Sequence, residues 1–464
     1  MSSVKHLFEP KQVALIGSSK LREKVGMTSP QLFESIIYNM RKYFKGKVST
    51  IDVARNNSSK SQGDKPELAV IVLPPDLSIQ QAEKCAEAGV KALVMVTGGY
   101  KKNQRQELIQ LRKEYGTRIL GPNTIMGVIN TANGLNTTFE KDIMPTEGDI
   151  AIVSQSGGVG ACLLDWACFY AIGISKFAFM GDKIDVNDVD LLEYFSQDSE
   201  TKVICLYMEG IENGRKFIET AQKVVKTKPI LAVKGGVTQE AARRALSHTA
   251  SIAGTDEVFD AALKKAGVIR TEDLEELLNS AVALSKQPPL EGDNVAIVSN
   301  VGGPAILAAD AVVRNGLKIA RLSETTKAKI ESCYQGVEAS NPVDLIADAR
   351  ADRYNKVLSY VLADPNVDGV MVINMLKSTF FEPEDAAEIM KIVQKHHVKP
   401  IVDVPAGGED FNLVYKVLGK TSVPLYNLPE KAAKALKALR LYSKIKEKEN
   451  VNLGHFFAKP RAYS

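Results

Sequence analysis

One histidine, His248, lies in a long connection built mainly from small residues. The stretch ARRALSHTASIAG, residues 242 to 254, follows the apolar run PILAVKGG and precedes the helical pattern DEVFDAALKKAG. Connections this long are uncommon inside compact domains and are often functional. Imidazole near neutral pH is a capable nucleophile and, once phosphorylated, a good leaving group. We therefore predict that His248 is a phosphoryl-transfer nucleophile rather than a surface histidine, with the hydroxyls of Ser247, Thr249 and Ser251 contacting phosphate oxygens.

A nucleophilic histidine needs an acceptor that holds its ring, so that the attacking nitrogen carries no proton. Glu209 ends the apolar run VICLYMEG, where a carboxylate is costly unless it has a partner. We predict that Glu209 orients His248. The structural alternative is an acid at the sheet edge that pairs with a lysine.

Two glycine turns share one pattern. AIVSQSGG at 151 to 158 returns 145 residues later as AIVSNVGG at 296 to 303, with six of the eight positions identical. Each copy leads into a helical pattern, and in the second Pro304 lies near the helix start and Gly316 closes the helix. A helix N-terminus carries roughly +0.5 charge and unpaired N–H groups, which suit phosphate. Tight packing would explain one such turn, but two copies favour a paired phosphate site made by Ser154, Gln155, Ser156, Gly157 and Gly158 and by Asn300, Val301, Gly302 and Gly303.

Small or turn residues also end four apolar runs near the N-terminus. The turn after QVALIG offers backbone N–H groups and hydroxyls to a phosphate, although it is not a G-x-G-x-x-G motif. Asp52 is the acid that a nicotinamide site would need, whereas Arg55 beside it suits an additional phosphate. We predict a nucleotide site made by Gly17, Ser18, Ser19, Lys20, Arg55, Pro74, Thr97, Gly98, Gly99 and Asn123.

Apolar runs alternate with helical segments along the chain, which predicts an α/β fold with parallel sheets covered on both faces. Ligands bind beyond the carboxyl ends of such strands. We predict domains at 1–127, 128–288 and 289–446, then a tail at 447–464 with little periodicity. GVINTANGLNTTF is interpreted as connecting structure, and Cys162 and Trp166 as core residues.

Composition excludes several classes of function. The net charge of +4 is too small and too dispersed to favour nucleic acid. No apolar run reaches membrane-spanning length. The five scattered cysteines contain no C-x-x-C pair, which favours reduced thiols in the cytoplasm and no structural zinc. His396 and His397 lack neighbouring ligands at metal spacing and are interpreted as a solvated helix end, so we predict no metal site.

Four segments in this order, GPNTIMGV, SQSGGVG, SHTASIAGTDEVFDAAL and NPVDL, resemble the NDP-forming acyl-CoA synthetases, relatives of succinyl-CoA synthetase. The resemblance covers roughly residues 5 to 445 and is greatest to the α subunits of archaeal-type ADP-forming acetyl-CoA synthetases. It implies a Rossmann-like CoA-binding domain followed by two flavodoxin-like domains.

The resemblance also implies roles for the residues already singled out. His248 would be the phosphorylated histidine and Glu209 would stabilise it. The two glycine turns would bind phosphate, and the N-terminal strand ends would contact coenzyme A or the thioester of acetyl-CoA. The implied reaction is acyl-CoA + ADP + phosphate ⇌ acid + ATP + CoA, through an acyl phosphate and a phosphohistidine on a mobile loop.

The same resemblance implies a partner. An ATP-grasp β subunit would bind ADP or ATP with Mg²⁺, in an assembly of two α and two β chains, and this chain alone would lack synthetase activity. Ala250 stands where the family usually has glycine, DVAR replaces the family's NPK, and VTGGY lacks the acid found in succinyl-CoA synthetases. Two other hypotheses are a non-catalytic CoA-binding regulatory or scaffold protein and, more weakly, a nicotinamide-dependent oxidoreductase.

Overall fold

The structure of the chain, a computed structural model, describes residues 4–20, 29–54, 57–58, 65–241, 255–333, 336–337, 339–376, 383–393, 398–407, 414–415 and 421–457. The chain divides into two compact units, residues 1–270 and 271–464. In the described part of the chain, no helix is both long and apolar enough to cross a bilayer.

The first unit begins with a Rossmann-like sheet. Its elements are α1 (Lys5–Phe8), β1 (Gln12–Gly17), α2 (Ser29–Tyr43), β2 (Lys47–Asp52), β3 (Asn57–Ser58), β4 (Leu68–Val72), α3 (Pro75–Glu87), β5 (Ala92–Met95), α4 (Lys102–Tyr115) and β6 (Arg118–Leu120). The strand order is β3-β2-β1-β4-β5-β6, with all neighbours parallel except β2 and β3. β1 and β4 are buried along their whole length, as expected for apolar strands that helices cover on both faces.

The second sheet of this unit is flavodoxin-like. Its elements are β7 (Val128–Asn130), β8 (Leu135–Asn136), β9 (Glu147–Ser154), α5 (Gly157–Phe169), β10 (Ile174–Phe179), α6 (Asp188–Gln197), β11 (Val203–Met208), α7 (Gly214–Val224), β12 (Ile230–Lys234), α8 (Asp256–Ala266) and β13 (Ile269–Arg270). The order is β13-β12-β11-β9-β10-β7-β8. The five strands from β13 to β10 are parallel, and the order along the chain reverses between β9 and β11.

The second unit contains the third sheet. Its elements are α9 (Leu274–Lys286), β14 (Asn294–Ser299), α10 (Gly302–Arg314), β15 (Lys318–Ile319), α11 (Glu324–Glu331), β16 (Val343–Asp344), α12 (Ala351–Ala363), β17 (Gly369–Met375), α13 (Pro383–Val393), β18 (Ile401–Ala406) and α14 (Pro429–Phe457). The order is β15-β14-β17-β18, with β16 also paired to β14, and all pairs are parallel. The predicted α/β architecture with three largely parallel sheets is confirmed.

Several local expectations were wrong. The segment interpreted as connecting structure forms β7 and β8, which extend the second sheet as antiparallel strands. The predicted boundary at 446 falls inside α14, so the first part of the predicted tail is helical. Cys162 is exposed and Trp166 is 36% exposed, so neither is a core residue.

The segment that follows β10 bonds to the edge of the first sheet. Its backbone N–H groups donate to carbonyl oxygens at the end of β6, at 2.8 Å from Asp182 to Pro122, 3.3 Å from Ile184 to Gly121 and 3.2 Å from Val186 to Ile119. The guanidinium group of Arg118 also bonds to Asp185 at 2.8 Å and to Asp190 at 3.1 Å. The two sheets of the first unit are therefore joined by backbone hydrogen bonds and by largely buried ion pairs.

One carboxyl group is buried in the third sheet. Asp403 in β18 has no exposed surface, and the Asn374 amide donates to its Oδ1 at 2.7 Å. Among the residues that the structure describes, Asp403 Oδ2 and Asn374 Oδ1 have no hydrogen-bond partner. Burial raises the pKa of Asp403 to about 8. A proton on Asp403 supplies the one donor that this acid–amide pair lacks.

We expect Asp403→Asn to stabilise the chain at pH 9 but not at pH 5. An aspartate in the unfolded chain loses its proton near pH 4, whereas the pKa of folded Asp403 is about 8. Between these values the folded state binds more protons, so its stability falls as the pH rises. Asparagine provides an N–H donor that cannot ionise. Melting temperatures of both proteins should agree at pH 5 and separate by several degrees at pH 9; the same pH dependence in both would contradict this expectation.

Candidate active site

The predicted nucleotide residues lie along one edge of the first sheet. Gly17 ends β1, while Pro74, Thr97 and Asn123 follow β4, β5 and β6. These strands are neighbours, and β1 adjoins β4 where the strand order reverses, which is the usual ligand position in such folds. The structure therefore brings the described members of this set to a single edge.

The turn after β1 is tied to Asp52 at the end of β2. The Ser19 hydroxyl donates to Asp52 Oδ2 at 2.6 Å, and the Ser19 N–H donates to Oδ1 at 3.3 Å. Lys20 N donates to the hydroxyl of Ser18, which is buried, at 3.2 Å. Asp52 thus organises the turn, a different role from the ribose contact of a nicotinamide site. Arg55 lies outside the described residues.

Asn123 lies between the first sheet and the segment after β10. It adopts a left-handed conformation with φ of 61°, and its N–H donates to Thr97 O at 2.8 Å. A Cβ on Gly98 would come within 2.8 Å of Asn123 Oδ1, so glycine is needed there for this close approach. The Asn123 amide donates to Asp182 Oδ1 at 3.3 Å, which connects this edge to the second sheet.

The first glycine turn joins β9 to α5. The Ser154 hydroxyl donates to Ser156 O at 2.6 Å and accepts from Ser156 N at 3.1 Å. Ser156 is the N-cap of α5, and its hydroxyl accepts from Val159 N at 3.4 Å. α5 therefore begins at Gly157, with its N-terminus at the turn.

The second turn repeats this geometry before α10. The Ser299 hydroxyl donates to Val301 O at 2.8 Å and accepts from Val301 N at 3.1 Å. α10 begins at Gly302, so Pro304 is its third residue, and Gly316 follows the helix with φ of 78°. The sequence repeat is thus a structural repeat.

Three of the turn glycines have no packing role. A Cβ on Gly158, Gly302 or Gly303 would meet no atom of the described residues within 4 Å. By contrast, a Cβ on Gly160 would come within 2.7 Å of the Phe177 ring, so that glycine serves packing. Open space at a helix N-terminus is what an anion requires, and both turns therefore fit a phosphate group.

Gln155 connects the first turn to Glu209. Its Oε1 accepts from Glu209 N at 2.7 Å and from Gly210 N at 3.1 Å, while its Nε2 donates to Gly210 O at 2.9 Å. β9 and β11 adjoin where the strand order reverses, so the phosphate turn and Glu209 lie together at the ligand position of the second sheet. Both polar ends of the Gln155 side chain bond within the protein, which makes it part of the framework of the site.

The Glu209 side chain lies beside Tyr207. The two oxygens are 3.4 Å apart, and burial together with the Glu209 carboxylate raises the pKa of Tyr207 to about 12. A Cβ on Gly235 would come within 2.3 Å of the Tyr207 hydroxyl and 3.5 Å of Glu209 Cγ. Glycine after β12 therefore leaves the space that these two side chains occupy.

The third sheet has no acid in the position of Glu209. Asn300 Oδ1 accepts from Met375 N at 3.0 Å, as Gln155 Oε1 accepts from Glu209 N. Met375 is 38% exposed. At this position the first repeat therefore has a carboxylate, Glu209, and the second has a thioether, Met375.

His248 lies outside the described residues, as do His396 and His397. Its connection follows β12, whose end adjoins the end of β11 and hence Glu209. Among the described residues, no group of three or more histidines, cysteines or acids is arranged to hold a metal ion.

The sequence reasoning missed β10 and the residues that follow it. Lys176 interrupts the apolar run of this strand, although it is completely buried and pairs with Asp198 at 2.8 Å. The ending FMGD has the same Gly-terminated form as the strands that were recognised. Asp182, Lys183 and Asp188 follow it and contact the site.

Comparison with known proteins finds two family matches, which together span most of the first unit and the start of the second. Residues 11–130 match the family described as CoA binding domain, and residues 147–284 match the family described as succinyl-CoA ligase like flavodoxin domain. The chain is also similar over its whole length to the structure of an acetyl-coenzyme A synthetase from Ca. Korarchaeum cryptofilum in complex with phosphate and ADP. That match has a TM-score of 0.87 at 31% identity and covers 98% of this chain and 99% of the other.

Two curated relatives are similar along nearly the whole chain. The α subunit of ADP-forming acetate–CoA ligase II from Pyrococcus furiosus is 36% identical over 94% of this chain and 96% of its own length. ADP-forming acetate–CoA ligase I from Archaeoglobus fulgidus is 34% identical over 97% of this chain but only 65% of its own length. The chain therefore belongs to the family of ADP-forming acetate–CoA ligase α subunits.

Proposed function

We propose that the chain is the α subunit of an ADP-forming acetyl-CoA synthetase and works in the cytoplasm. The observation that carries the proposal is the position of Glu209, which Gln155 holds beside an open phosphate turn at the strand-order reversal of the second sheet. The CoA-binding sheet lies next to it, joined by the Asn123–Asp182 contact. A thioester held at the first edge is thus close to a phosphate held at the second.

The reaction follows in three balanced steps. A phosphate oxygen attacks the carbonyl carbon of acetyl-CoA, which releases CoA and forms acetyl phosphate. His248 then attacks the phosphorus atom, which releases acetate and leaves a phosphohistidine. The connection that carries His248 delivers the phosphoryl group to ADP, which forms ATP and regenerates the imidazole. Glu209 accepts a hydrogen bond from the ring nitrogen that does not react, and this stabilises the charged ring.

In this proposal the N-terminal ends of α5 and α10 each bind a phosphate or phosphoryl group. Their unpaired N–H groups and roughly +0.5 charge stabilise an anion. Mg²⁺, where it accompanies the nucleotide, belongs to the ATP-grasp partner in this proposal.

The partner is an ATP-grasp β subunit, in an assembly of two α and two β chains. The relatives support a division of labour, because one is named as an α subunit of almost the same length and another extends well beyond the match. We propose that the additional third of the longer relative corresponds to the separate partner here.

We expect ATP synthesis from the complex and not from the isolated chain. The chain, tagged in its own cells so that its natural partner copurifies, should convert acetyl-CoA, ADP and phosphate to acetate, ATP and CoA in equal amounts. The separated chain should bind CoA but make no ATP. Binding of CoA by a complex that never forms ATP or phosphohistidine would favour the non-catalytic scaffold instead.

A further inference from the structure

Two charged residues, Asp188 and Lys183, continue the chain of contacts that begins with Glu209 and Gln155. The amide nitrogen of Gln155 donates to Asp188 Oδ1 at 2.8 Å, and the ammonium group of Lys183 lies 3.2 Å from Asp188 Oδ2. The side chains of Asp188 and Lys183 are 5% and 9% exposed. A carboxylate this deeply buried requires a partner, and here it has both an amide and an ammonium group.

Backbone contacts outside the second sheet hold both Lys183 and Asp188 in place. Lys183 adopts φ of 51°, and the preceding Asp182 N–H donates to Pro122 O in the first sheet. Asp188 is the first residue of α6, whose N-cap Asn187 accepts from two backbone N–H groups. Backbone contacts on either side of the pair therefore hold Lys183 and Asp188 in position for the contact between Asp188 and Gln155.

The structural repeat provides an internal comparison. In the third sheet Asn300 also accepts from a backbone N–H, that of Met375 at the end of the neighbouring strand, but its Nδ2 has no hydrogen-bond partner among the described residues. Among the described residues, the copy that carries Glu209 differs in bonding the donor end of its amide, to Asp188 and to Gly210 O. If the hydrogen bonds of the amide nitrogen served only to hold two strands together, Asn300, which contacts Met375, would need the same bonds.

We propose that Lys183, Asp188 and Gln155 form a positioning network that holds Glu209 in place for its contact with His248. The inference rests on the proposed function, since it concerns the same phosphoryl transfer. None of the three residues needs to touch a reacting atom. Lys183 neutralises Asp188, Asp188 fixes the rotation of the Gln155 amide, and that amide fixes the backbone N–H of Glu209.

The test uses two substitutions that keep side-chain size. Gln155→Glu removes the donor to Asp188 and Gly210 and puts two carboxylates together. Asp188→Asn can still accept from Gln155 but turns an amide N–H₂ toward the Lys183 ammonium group. Glu193→Gln is the matched control, because Glu193 is an exposed carboxylate on the same helix as Asp188. Circular dichroism and melting temperature establish that each variant folds.

The readout is the rate of phosphohistidine formation in the purified complex, with labelled phosphate and acetyl-CoA. We expect Gln155→Glu and Asp188→Asn each to lower the rate at saturating acetyl-CoA roughly 10- to 100-fold, with KM for acetyl-CoA changed by no more than about twofold. Glu193→Gln should match the unchanged complex. A rate for Asp188→Asn equal to that of Glu193→Gln would overturn the proposal.

A double-mutant cycle separates positioning from general support. In a Glu209→Gln background, Gln155→Glu should add no more than about a twofold loss, because the charge it positions is already gone. Losses that multiply in the double variant would overturn the network. Failure of the unchanged complex to form phosphohistidine would instead reject the proposed function, so the two failures are distinguishable.

Discussion

Replacing His248 with alanine is expected to abolish both phosphorylation of the chain and ATP synthesis by the complex. The imidazole is the group that we propose to carry the phosphoryl group between the acetyl phosphate and ADP, and alanine has no nucleophile. Labelled phosphate, supplied with acetyl-CoA, should appear on the unchanged chain as an acid-labile, base-stable adduct and should be absent from the His248→Ala chain.

His6→Gln is the control for this experiment. The His6 ring is partly exposed and lies 3.9 Å from Glu67, and His6 has no place in the proposed reaction. The His248→Ala chain should still bind CoA with a dissociation constant within about twofold of the unchanged value. The reason is that we propose CoA to bind at the edge of the first sheet, whereas His248 follows β12 of the second sheet in the sequence. Labelling of the His248→Ala chain at the normal rate would remove His248 from the mechanism.

Glu209→Gln is expected to slow phosphohistidine formation by roughly 10²- to 10⁴-fold, the usual contribution of a positioned acid–base group. The substitution keeps the side-chain shape, and the backbone N–H that bonds to Gln155 is unchanged. Only the negative charge that stabilises the imidazole is lost. Rapid-quench measurements of labelled phosphohistidine give the rate directly.

Glu219→Gln provides the comparison. Glu219 is an exposed carboxylate on α7, the helix that follows Glu209 along the chain. Its amide variant should remain within about threefold of the unchanged rate. If Glu209→Gln is no slower than Glu219→Gln, Glu209 is the structural edge acid that we considered as the alternative.

Much of the architecture could be predicted because its signals are local. Apolar runs such as ELAVIVLPP are long enough to identify buried parallel strands, and their glycine-rich ends identify the ligand edge. The repeated turn at Ser154 and Ser299 was also visible in the sequence, and its two copies have the same hydrogen bonds. The family resemblance, stated from ordered motifs, was confirmed by relatives that match almost the whole chain.

The parts that escaped prediction depend on contacts between distant segments. Lys176 disguised β10 because its charge is neutralised by acids 22 and 24 residues away, a pairing that periodicity cannot reveal. β7 was missed because its partner is β10 itself. The role that we propose for Asp188 depends on its contact with a glutamine 33 positions earlier, and no local pattern in the sequence indicates that contact.

The hydrogen bonds from Asp182, Ile184 and Val186 to the end of β6 have a consequence for how such genes can be rearranged. A gene fragment that stops after the CoA-binding region encodes a sheet whose last strand lacks its neighbour, and exposed strand edges promote aggregation. Recombination that moved this region alone would therefore yield a poorly soluble product. The two regions are expected to be inherited and transplanted as one block, extending at least through α6.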